Sequence, residues 1–166
     1  MHPTVALLIE RFGLIPHPEG GFYKETYKSS ETFTHDHLPD RFSGDRYFSS
    51  AIYFLLEKGN YSAFHRIKSD ECWHFYDGDP LWVHVIHPNG VLETIRLGNR
   101  EGTVYQFVVP AGCWFASETA PGGLFSLVGC TVAPAFDFAD FELAKAQQLI
   151  QDFPDHAALI QRLCRQ

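Results

Sequence analysis

Turn-forming residues recur roughly every ten positions from residue 48 onward, and this spacing limits the fold more than any other feature of the sequence. The segments KGN (58–60), GDP (78–80) and PNG (88–90) separate short runs rich in aromatic and β-branched residues. Such runs are typical of β-strands, and PNG between two of them is a strong hairpin signal. Because no helical pattern alternates with the runs, we predict an all-β antiparallel sandwich or barrel rather than a parallel α/β sheet.

Helical patterns occur at the two ends of the chain. Near residue 1, Pro3 can open a short helix and Gly13 can close it. The apolar stripe of this helix is Val5, Leu8, Ile9 and Phe12. The later stripe is Leu143, Ala146, Ile150 and Phe153, and Pro154 can open a further helix with Leu159, Ile160 and Leu163. We expect the later helices to cover the outside of the barrel or a sheet edge.

The 166 residues fit one domain, for which we predict three parts. These are an N-terminal helix with a linker (1–19), a barrel (20–134) and C-terminal helices (135–166). Within them, GGFYKETYKS (20–29) predicts a strand after a Gly-Gly kink, whereas 30–46 has no sustained periodicity. A loop of this length is either a lid or binding loop, or a surface excursion.

Charge and cysteine usage exclude several classes of partner. The net charge is −7 and no Lys/Arg cluster is longer than a pair, which argues against a nucleic acid. The four cysteines form no CxxC, so neither a zinc knuckle nor a redox pair is indicated, and free thiols favour a cytoplasmic location. VALLI (5–9) is too short for a signal sequence or a membrane span, so we predict no membrane association.

One segment carries a recognisable spacing of polar residues. Its fixed positions are Gly59, His65, Ile67, Glu71 and Gly78. This looks like the first motif of the cupin superfamily, G-x5-H-x-H-x3-4-E-x6-G, with Ile67 in place of the second His. PAGCWF (110–115) resembles the second motif, P-x-G-x-x-H, with Phe115 in the His position and Thr119 where the motif has Asn.

The resemblance extends over nearly the whole chain, to a small branch of single-domain cupins described mainly as of unknown function. It is carried by HPEGGFYKETY, SSAIYFLL, FHRIKSDECWHFYDG, VPAGCWFAS and FSLVGCTVAPAFDFADFEL, in that order. It implies a double-stranded β-helix, or jelly-roll barrel, with an internal cavity, and a homodimer. It implies no particular reaction, since the superfamily hosts oxygenases, isomerases, epimerases, binding domains and storage proteins.

The resemblance points His65 into the barrel, and strand geometry then places other side chains beside it. Residues two apart in a strand share a face, which groups His65 with Ile67, and Glu71 with Trp73 and Phe75. Tryptophan rings could stack on a planar or sugar ring. Glu19, Tyr23, Lys24 and Glu25 lie just before the 30–46 loop. The predicted ligand-binding residues are Tyr23, Glu25, Ile67, Trp73, Phe75, Trp114 and Phe115.

A metal site of the cupin type uses three His and one Glu. The equivalent positions here retain two of these ligands, His65 and Glu71, fewer than catalytic zinc or non-haem iron sites usually have. We therefore predict no cofactor. If a divalent metal binds, His65 and Glu71 are the expected ligands.

Without a metal, a His and a Glu in an apolar pocket form a candidate acid/base pair. The leading hypothesis is a small-molecule-binding cupin with metal-independent isomerase or epimerase activity on a sugar-like or keto-acid compound. His65 would be the base and Glu71 its orienting partner, with the hydroxyl of Tyr53 or Tyr76 as an acid. The alternatives are a non-catalytic binding or sensing module that holds an aromatic or apolar ligand in the same pocket, and a metal-dependent oxygenase with a degenerate site. A separate interpretation is that His65 and Glu71 only hydrogen-bond each other inside the barrel.

Overall fold

Two antiparallel β-sheets face each other in the computed structural model, which describes residues 2–165. The strands are β1 (Ile15–Pro16), β2 (Phe22–Lys28), β3 (Thr32–Phe33), β4 (Arg46–Tyr47), β5 (Ser50–Glu57), β6 (Tyr61–Arg66), β7 (Asp70–Gly78), β8 (Leu81–Ile86), β9 (Leu92–Leu97), β10 (Gln106–Val109), β11 (Trp114–Thr119), β12 (Phe125–Ala133) and β13 (Glu142–Leu143). The helices are α1 (Pro3–Phe12), α2 (Ala146–Asp152) and α3 (Ala157–Leu163). Short 3-10 turns occupy His35–His37, Phe138–Asp140 and Pro154–His156.

The strand order identifies the barrel. One sheet runs β1-β2-β5-β12-β7-β10 and the other β13-β6-β11-β8-β9, while β3 and β4 pair separately. Consecutive strands such as β5 and β6, or β7 and β8, lie in different sheets, so the chain winds back and forth across the barrel. This confirms the predicted all-β double-stranded β-helix.

The core fills the space between the two sheets. It consists of inward side chains from both of them, among them Phe54, Leu56, Trp73, Leu81, Val83, Phe115 and Val128. Burial of such side chains stabilises each by about 1.5–3 kcal/mol relative to exposure. Cys130, Tyr23 and Ile52 belong both to this core or its edge and to the wall of a cavity, so the core borders the cavity directly.

The N-terminal helix begins and ends where the sequence predicts. Pro3 occupies the first turn of α1, and Gly13 ends it with a left-handed backbone (φ 61°). Val5 and Leu8 are buried against Leu55 and Leu127, so α1 covers the outer face of the first sheet.

The C-terminal helices cover the second sheet, as expected. Ile160 and Leu163 pack with Phe64 and Ile86. The predicted stripe was wrong at Leu143, because this residue pairs with His65 as part of β13 and the helix begins only at Ala146. No helix within residues 2–165 has both the length and the apolarity to cross a bilayer.

The 30–46 segment folds back onto the body of the protein. Phe42 is buried, and the ends of the segment pair as β3 and β4. Arg46 donates from Nε and Nη2 to the two oxygens of Asp140, each at 2.7 Å, and both side chains are about 5% exposed or less. This ion pair attaches the segment to the 136–141 turn.

Candidate functional site

A cavity of about 220 Å³ opens into the barrel between the strands of the first sheet and β6. Its walls are His17, Glu19, Tyr23, Glu25, Ser50, Ile52, His65, Ile67, Glu71, Cys130, Val132, Phe136 and Phe138. An apolar cavity with a few convergent polar groups is the usual composition of a small-molecule site.

The HPEGG turn (17–21) inserts Glu19 into the barrel. Gly20 and Gly21 have positive φ angles of 117° and 77°, which side chains other than hydrogen rarely permit. A Cβ on Gly20 would overlap the Tyr61 carbonyl oxygen, so the backbone also passes too closely for another residue. The Glu19 carbonyl oxygen accepts hydrogen bonds from the Ala63 amide (3.0 Å) and the Arg165 guanidinium (3.1 Å).

Glu19 is the partner of His65. Its Oε2 lies 3.1 Å from His65 Nε2, and both side chains are at most 8% exposed. The other ring nitrogen, Nδ1, lies 2.8 Å from the Ala63 carbonyl oxygen, which can only accept. His65 Nδ1 therefore carries a proton, and both of its ring nitrogens are engaged. The sequence hypothesis made Glu71 the orienting partner, but the structure gives that position to Glu19.

Burial favours the uncharged forms of both members of this pair. It lowers the pKa of His65 to about 3. Burial and the nearby Glu71 raise the pKa of Glu19 well above its ordinary value of 4.5. Neutral His65 has a lone pair on Nε2, so the proton of the 3.1 Å contact belongs to the Glu19 carboxyl group.

Glu71 is a second buried carboxyl group in the same cavity. Burial raises its pKa to about 7, while the Cys130 thiol and the Trp73 indole lower it. The Trp73 N–H is buried and has no hydrogen-bond partner in the described part of the chain, so it acts on Glu71 only because it lies nearby. Burial and Glu71 in turn raise the pKa of the Cys130 thiol, which keeps it protonated. Near neutral pH, Glu71 can thus either accept or donate a proton.

His17 holds the turn that carries Glu19. Its Nδ1 accepts a hydrogen bond from the Glu19 backbone amide at 3.2 Å and lies 3.6 Å from Glu19 Oε1. The ring packs edge-on against Tyr23 at 4.6 Å between centroids. Burial lowers the pKa of His17 to about 4, so it is neutral at physiological pH and adds no positive charge to the cavity.

Phenylalanines form the mouth of the cavity. Phe136 and Phe138 line it, and Phe138 is 55% exposed. Phe141 packs on both of them and lies 5.4 Å from the His65 ring. The turn that carries these rings is fixed by Asp140 through its ion pair with Arg46.

The structure brings five of the predicted site residues to the cavity wall: Tyr23, Glu25, His65, Ile67 and Glu71. Three others lie behind the wall in the core: Trp73, Phe75 and Phe115. Phe115 supports His65 directly, with 4.1 Å between ring centroids.

Three predicted residues lie outside the barrel, because alternate side chains of a strand face opposite ways. Tyr53 neighbours the inward-facing Ile52 and packs on Phe12 of α1. Tyr76 is 51% exposed and lies edge-on to Tyr53. Trp114 packs with the C-terminal helices beneath the Arg66 guanidinium. The structure does not bring these three to the cavity.

Several wall residues were not predicted from the sequence: His17, Ser50, Ile52, Cys130, Val132, Phe136 and Phe138. The role of Glu19 as partner of His65 was also missed. The Gly-Gly pair after Glu19 was a usable signal, because two adjacent glycines often mark a close approach of the backbone. His17 lies in the same turn as Glu19, and the others depend on strand register or lie in the aperiodic 134–141 segment.

The charge of the cavity is one-sided. Three of its wall residues, Glu19, Glu25 and Glu71, carry carboxyl groups, and none of them is Lys or Arg. Glu25 is exposed at the mouth. A ligand in this cavity therefore contacts carboxyl groups that are either protonated and neutral or ionised and negative.

The metal site implied by the cupin resemblance does not fit these residues. Ile67 and Phe115 supply no donor atom, and the nitrogens of His65 are already bound to Ala63 and Glu19. Across residues 2–165, no group of three or more His, Cys, Asp or Glu side chains is arranged to hold a metal ion.

Comparison with known proteins gives consistent matches over most of the chain. The family model described as "Cupin superfamily (DUF985)" matches residues 6–144. An uncharacterized protein of Saccharomyces cerevisiae, YML079W, is 30% identical over 164 residues, covering 91% of this chain and 81% of the yeast protein.

Two solved structures are similar over almost their full length. A hypothetical protein from Leishmania major superposes with a TM-score of 0.87 at 34% identity, covering 97% of this chain and 98% of that one. Protein SO0799 from Shewanella oneidensis superposes with a TM-score of 0.84 at 42% identity, covering 95% of each chain. Neither description specifies a substrate or a reaction.

Proposed function

This chain belongs to the cupin superfamily, in the family designated DUF985, and on that premise we propose that its barrel cavity binds a small uncharged polar molecule and interconverts isomers of it without a metal. The observation that carries the proposal is the pairing of two proton-exchanging groups in one buried cavity. Glu71, with a pKa of about 7, and His65 with its carboxyl partner both face it.

Isomerisation next to a carbonyl group needs one group to remove a proton and another to supply one. A general base works best when its pKa lies near the working pH, which Glu71 satisfies. The second group is the Glu19–His65 pair. The sequence hypothesis made His65 the base. In this proposal Glu71 is the base instead, because His65 Nε2 already faces Glu19 at 3.1 Å.

The charge of the cavity favours a sugar-like ligand over a keto acid. A carboxylate or phosphate bound next to Glu25 and Glu71 would be repelled by like charge, and the described wall residues include no Lys or Arg to compensate it. Hydroxyl groups, in contrast, can donate to carboxylates and accept from carboxylic acids. The Phe136 and Phe138 rings offer apolar faces for the C–H side of a sugar ring.

A second function, binding without chemistry, is favoured by the mutual satisfaction of Glu19 and His65. Each provides a hydrogen-bond partner for the other, so the pair satisfies its own polar atoms without taking part in a reaction. Such a protein would bind and release a sugar-like molecule without changing it chemically.

Deuterium exchange tests the first proposal. The protein would be incubated in D2O with a panel of aldoses, ketoses and uncharged hydroxy ketones, with keto acids as the anionic comparison, in the presence of a chelator. We expect deuterium to enter at the carbon next to the carbonyl of an uncharged member. Glu71→Gln should lower the rate by about 10²–10⁴-fold, the usual contribution of a general base.

The matched control is Glu10→Gln, which makes the same chemical change on the exposed face of α1. It should leave the rate unchanged. Exchange that Glu71→Gln does not slow would contradict the proposal. A panel member that raises the melting temperature without exchanging deuterium would support the non-catalytic function instead.

A further inference from the structure

We infer that Glu19 is a further catalytic residue of this cavity, and that Glu19 and His65 act as one acid that holds a single transferable proton over the ligand. The inference rests on the proposed function and adds the group that delivers the proton. Its basis is the contact geometry of the pair.

The hydrogen bonds of His65 fix its tautomer. The Ala63 carbonyl oxygen, 2.8 Å from Nδ1, has no proton to give, so Nδ1 must donate. If Nδ1 carries the only ring proton, Nε2 presents a lone pair to Glu19 Oε2 at 3.1 Å. If Glu19 were ionised, a lone pair on its Oε2 would face the lone pair on His65 Nε2, and the two would repel. A proton must therefore lie between these two atoms.

The surroundings decide which atom carries that proton. An imidazolium at His65 would lie against the Phe115 ring in a site only 4% exposed. Charge separation at such a site carries a large desolvation cost, whereas a carboxylic acid that donates to a neutral imidazole needs no charge. The resting pair is therefore a protonated Glu19 and a neutral His65.

The neighbours of Glu19 can stabilise the charge that appears when the proton leaves. The Ser62 hydroxyl is buried, has no hydrogen-bond partner among residues 2–165, and lies close enough to lower the pKa of Glu19. The Arg165 guanidinium lowers it further through its positive charge. Both effects oppose burial because they favour the ionised form of Glu19.

The complete step balances with these groups. The Glu71 carboxylate removes a proton from the carbon next to the ligand carbonyl, and the C–H electron pair forms a C=C bond. The carbonyl oxygen takes the proton of the pair, which leaves an ionised Glu19 beside neutral His65. Glu71 then returns its proton to the former carbonyl carbon while the pair recovers one from the adjacent hydroxyl. No oxidant or reductant is needed.

The test combines ¹⁵N NMR of the histidine rings with kinetics on the full chain. In the wild-type protein, His65 should be a neutral Nδ1–H tautomer from pH 5 upward, and its Nε2 shift should change as the proton of the pair is lost at higher pH. In Glu19→Gln, the amide can still donate to Nε2 but has no proton to lose, so this titration should be absent. Glu10→Gln should retain it.

Kinetics then separates a catalytic role from a structural one. Glu19→Gln should lower kcat by about 10²–10⁴-fold with KM changed only a few-fold, and should remove the alkaline limb of the pH profile. Imidazolium shifts, or an Nε2–H tautomer, in the wild type between pH 5 and 8 would overturn the inference without any variant.

Failure of the inference and failure of the proposed function can be told apart. Turnover that depends on Glu71 but is unchanged in Glu19→Gln would overturn the inference alone. Absence of turnover for every substrate would count against the proposed function, and the NMR titration would then report whether the shared proton exists.

Discussion

At the scale of single residues, two arginine–carboxylate contacts of the same length lie in very different surroundings. Arg46 and Asp140 are about 5% exposed or less, whereas Arg66 and Glu142 are 42% and 55% exposed. Each pair includes a 2.7 Å contact. Water screens the second pair but is excluded from the first, so the two should differ in their contribution to stability.

Removal of the buried carboxylate should be the more damaging change. Asp140→Ala leaves Arg46 charged and unpaired in the interior, and we expect a loss of about 3–5 kcal/mol in the free energy of unfolding. Glu142→Ala, the matched control at the exposed pair, should cost about 1 kcal/mol or less. Urea unfolding of both variants measures the difference. Equal losses would mean that Arg46 finds water or another partner once Asp140 is gone.

At the scale of elements, the HPEGG turn sets where the functional groups lie. It contains no regular structure, yet it fixes Glu19 against β6 through the Ala63 amide and against the segment that follows α3 through Arg165. Strands β6 and β7 provide His65 and Glu71, and the turn provides Glu19, the third proton-exchanging residue of the cavity. Small backbone shifts in this turn would alter the Glu19–His65 contact before they altered the barrel.

Alanine at Gly20 should therefore disturb both stability and the site. The new Cβ would meet the Tyr61 carbonyl oxygen and the Arg165 side chain, and the residue has φ 117°. Gly59→Ala is the control, because Gly59 also has a positive φ (82°) but nothing within 4 Å of an added Cβ. The control should lose about 1 kcal/mol from backbone strain alone.

We expect Gly20→Ala to lose more than the control in thermal unfolding, and to shift the His65 ring resonances that Gly59→Ala leaves in place. If the two variants match in both measurements, the close approach at Gly20 is not what positions Glu19.

The sequence predicts the elements well because their signals are local. Strand alternation, the turns and the α1 boundaries each depend on neighbours within a few positions, and the structure agrees with them. The inward orientation of His65 follows from the cupin motif. Leu143 was misassigned because it fits a helical stripe locally, while its pairing with His65 in β13 is a long-range contact.

The site was harder to predict for the same reason. Glu19 and His65 are far apart in the sequence, and no periodicity links them. Tyr53 and Tyr76 are chemically suitable but face outward. For Tyr76 this already follows from its place next to the inward-facing Phe75, whereas for Tyr53 only the strand register reveals it. The mouth residues Phe136 and Phe138 lie in a segment without a repeating pattern.

At the scale of the whole molecule, four buried titratable groups oppose one another in their effect on stability. His17 and His65 have folded pKa values of about 4 and 3, below the ordinary 6.5, so the unfolded chain binds more protons and stability rises with pH up to 6.5. Glu71 has a folded pKa of about 7, above the ordinary 4.5, so the folded chain binds more protons and stability falls as pH rises from 4.5 to 7. Glu19 acts in the same direction as Glu71.

These slopes cancel between pH 4.5 and 6.5, where we expect a plateau of the melting temperature, with a decline on both sides. Glu71→Gln should remove one of the two contributions that make stability fall at alkaline pH. At pH 8 it should raise the free energy of unfolding by about 3 kcal/mol, because a rise in pKa from 4.5 to about 7 corresponds to about 1.36 kcal/mol per pKa unit. At pH 4.5, where Glu71 is protonated in the folded chain and about half protonated in the unfolded chain, the effect should be small. A gain of equal size at both pH values would show that packing, not ionisation, is responsible.

The hydrogen bond from Arg165 to the Glu19 carbonyl joins residues 146 positions apart in the sequence. Contacts that close so long a loop form late in folding, because the chain must lose the corresponding entropy before it gains the contact. The barrel strands can thus associate before the Glu19 turn is locked in place. During refolding, the far-ultraviolet signal of the sheets should recover earlier than the protonation state of His65, so a partly folded chain would have the barrel without a working cavity.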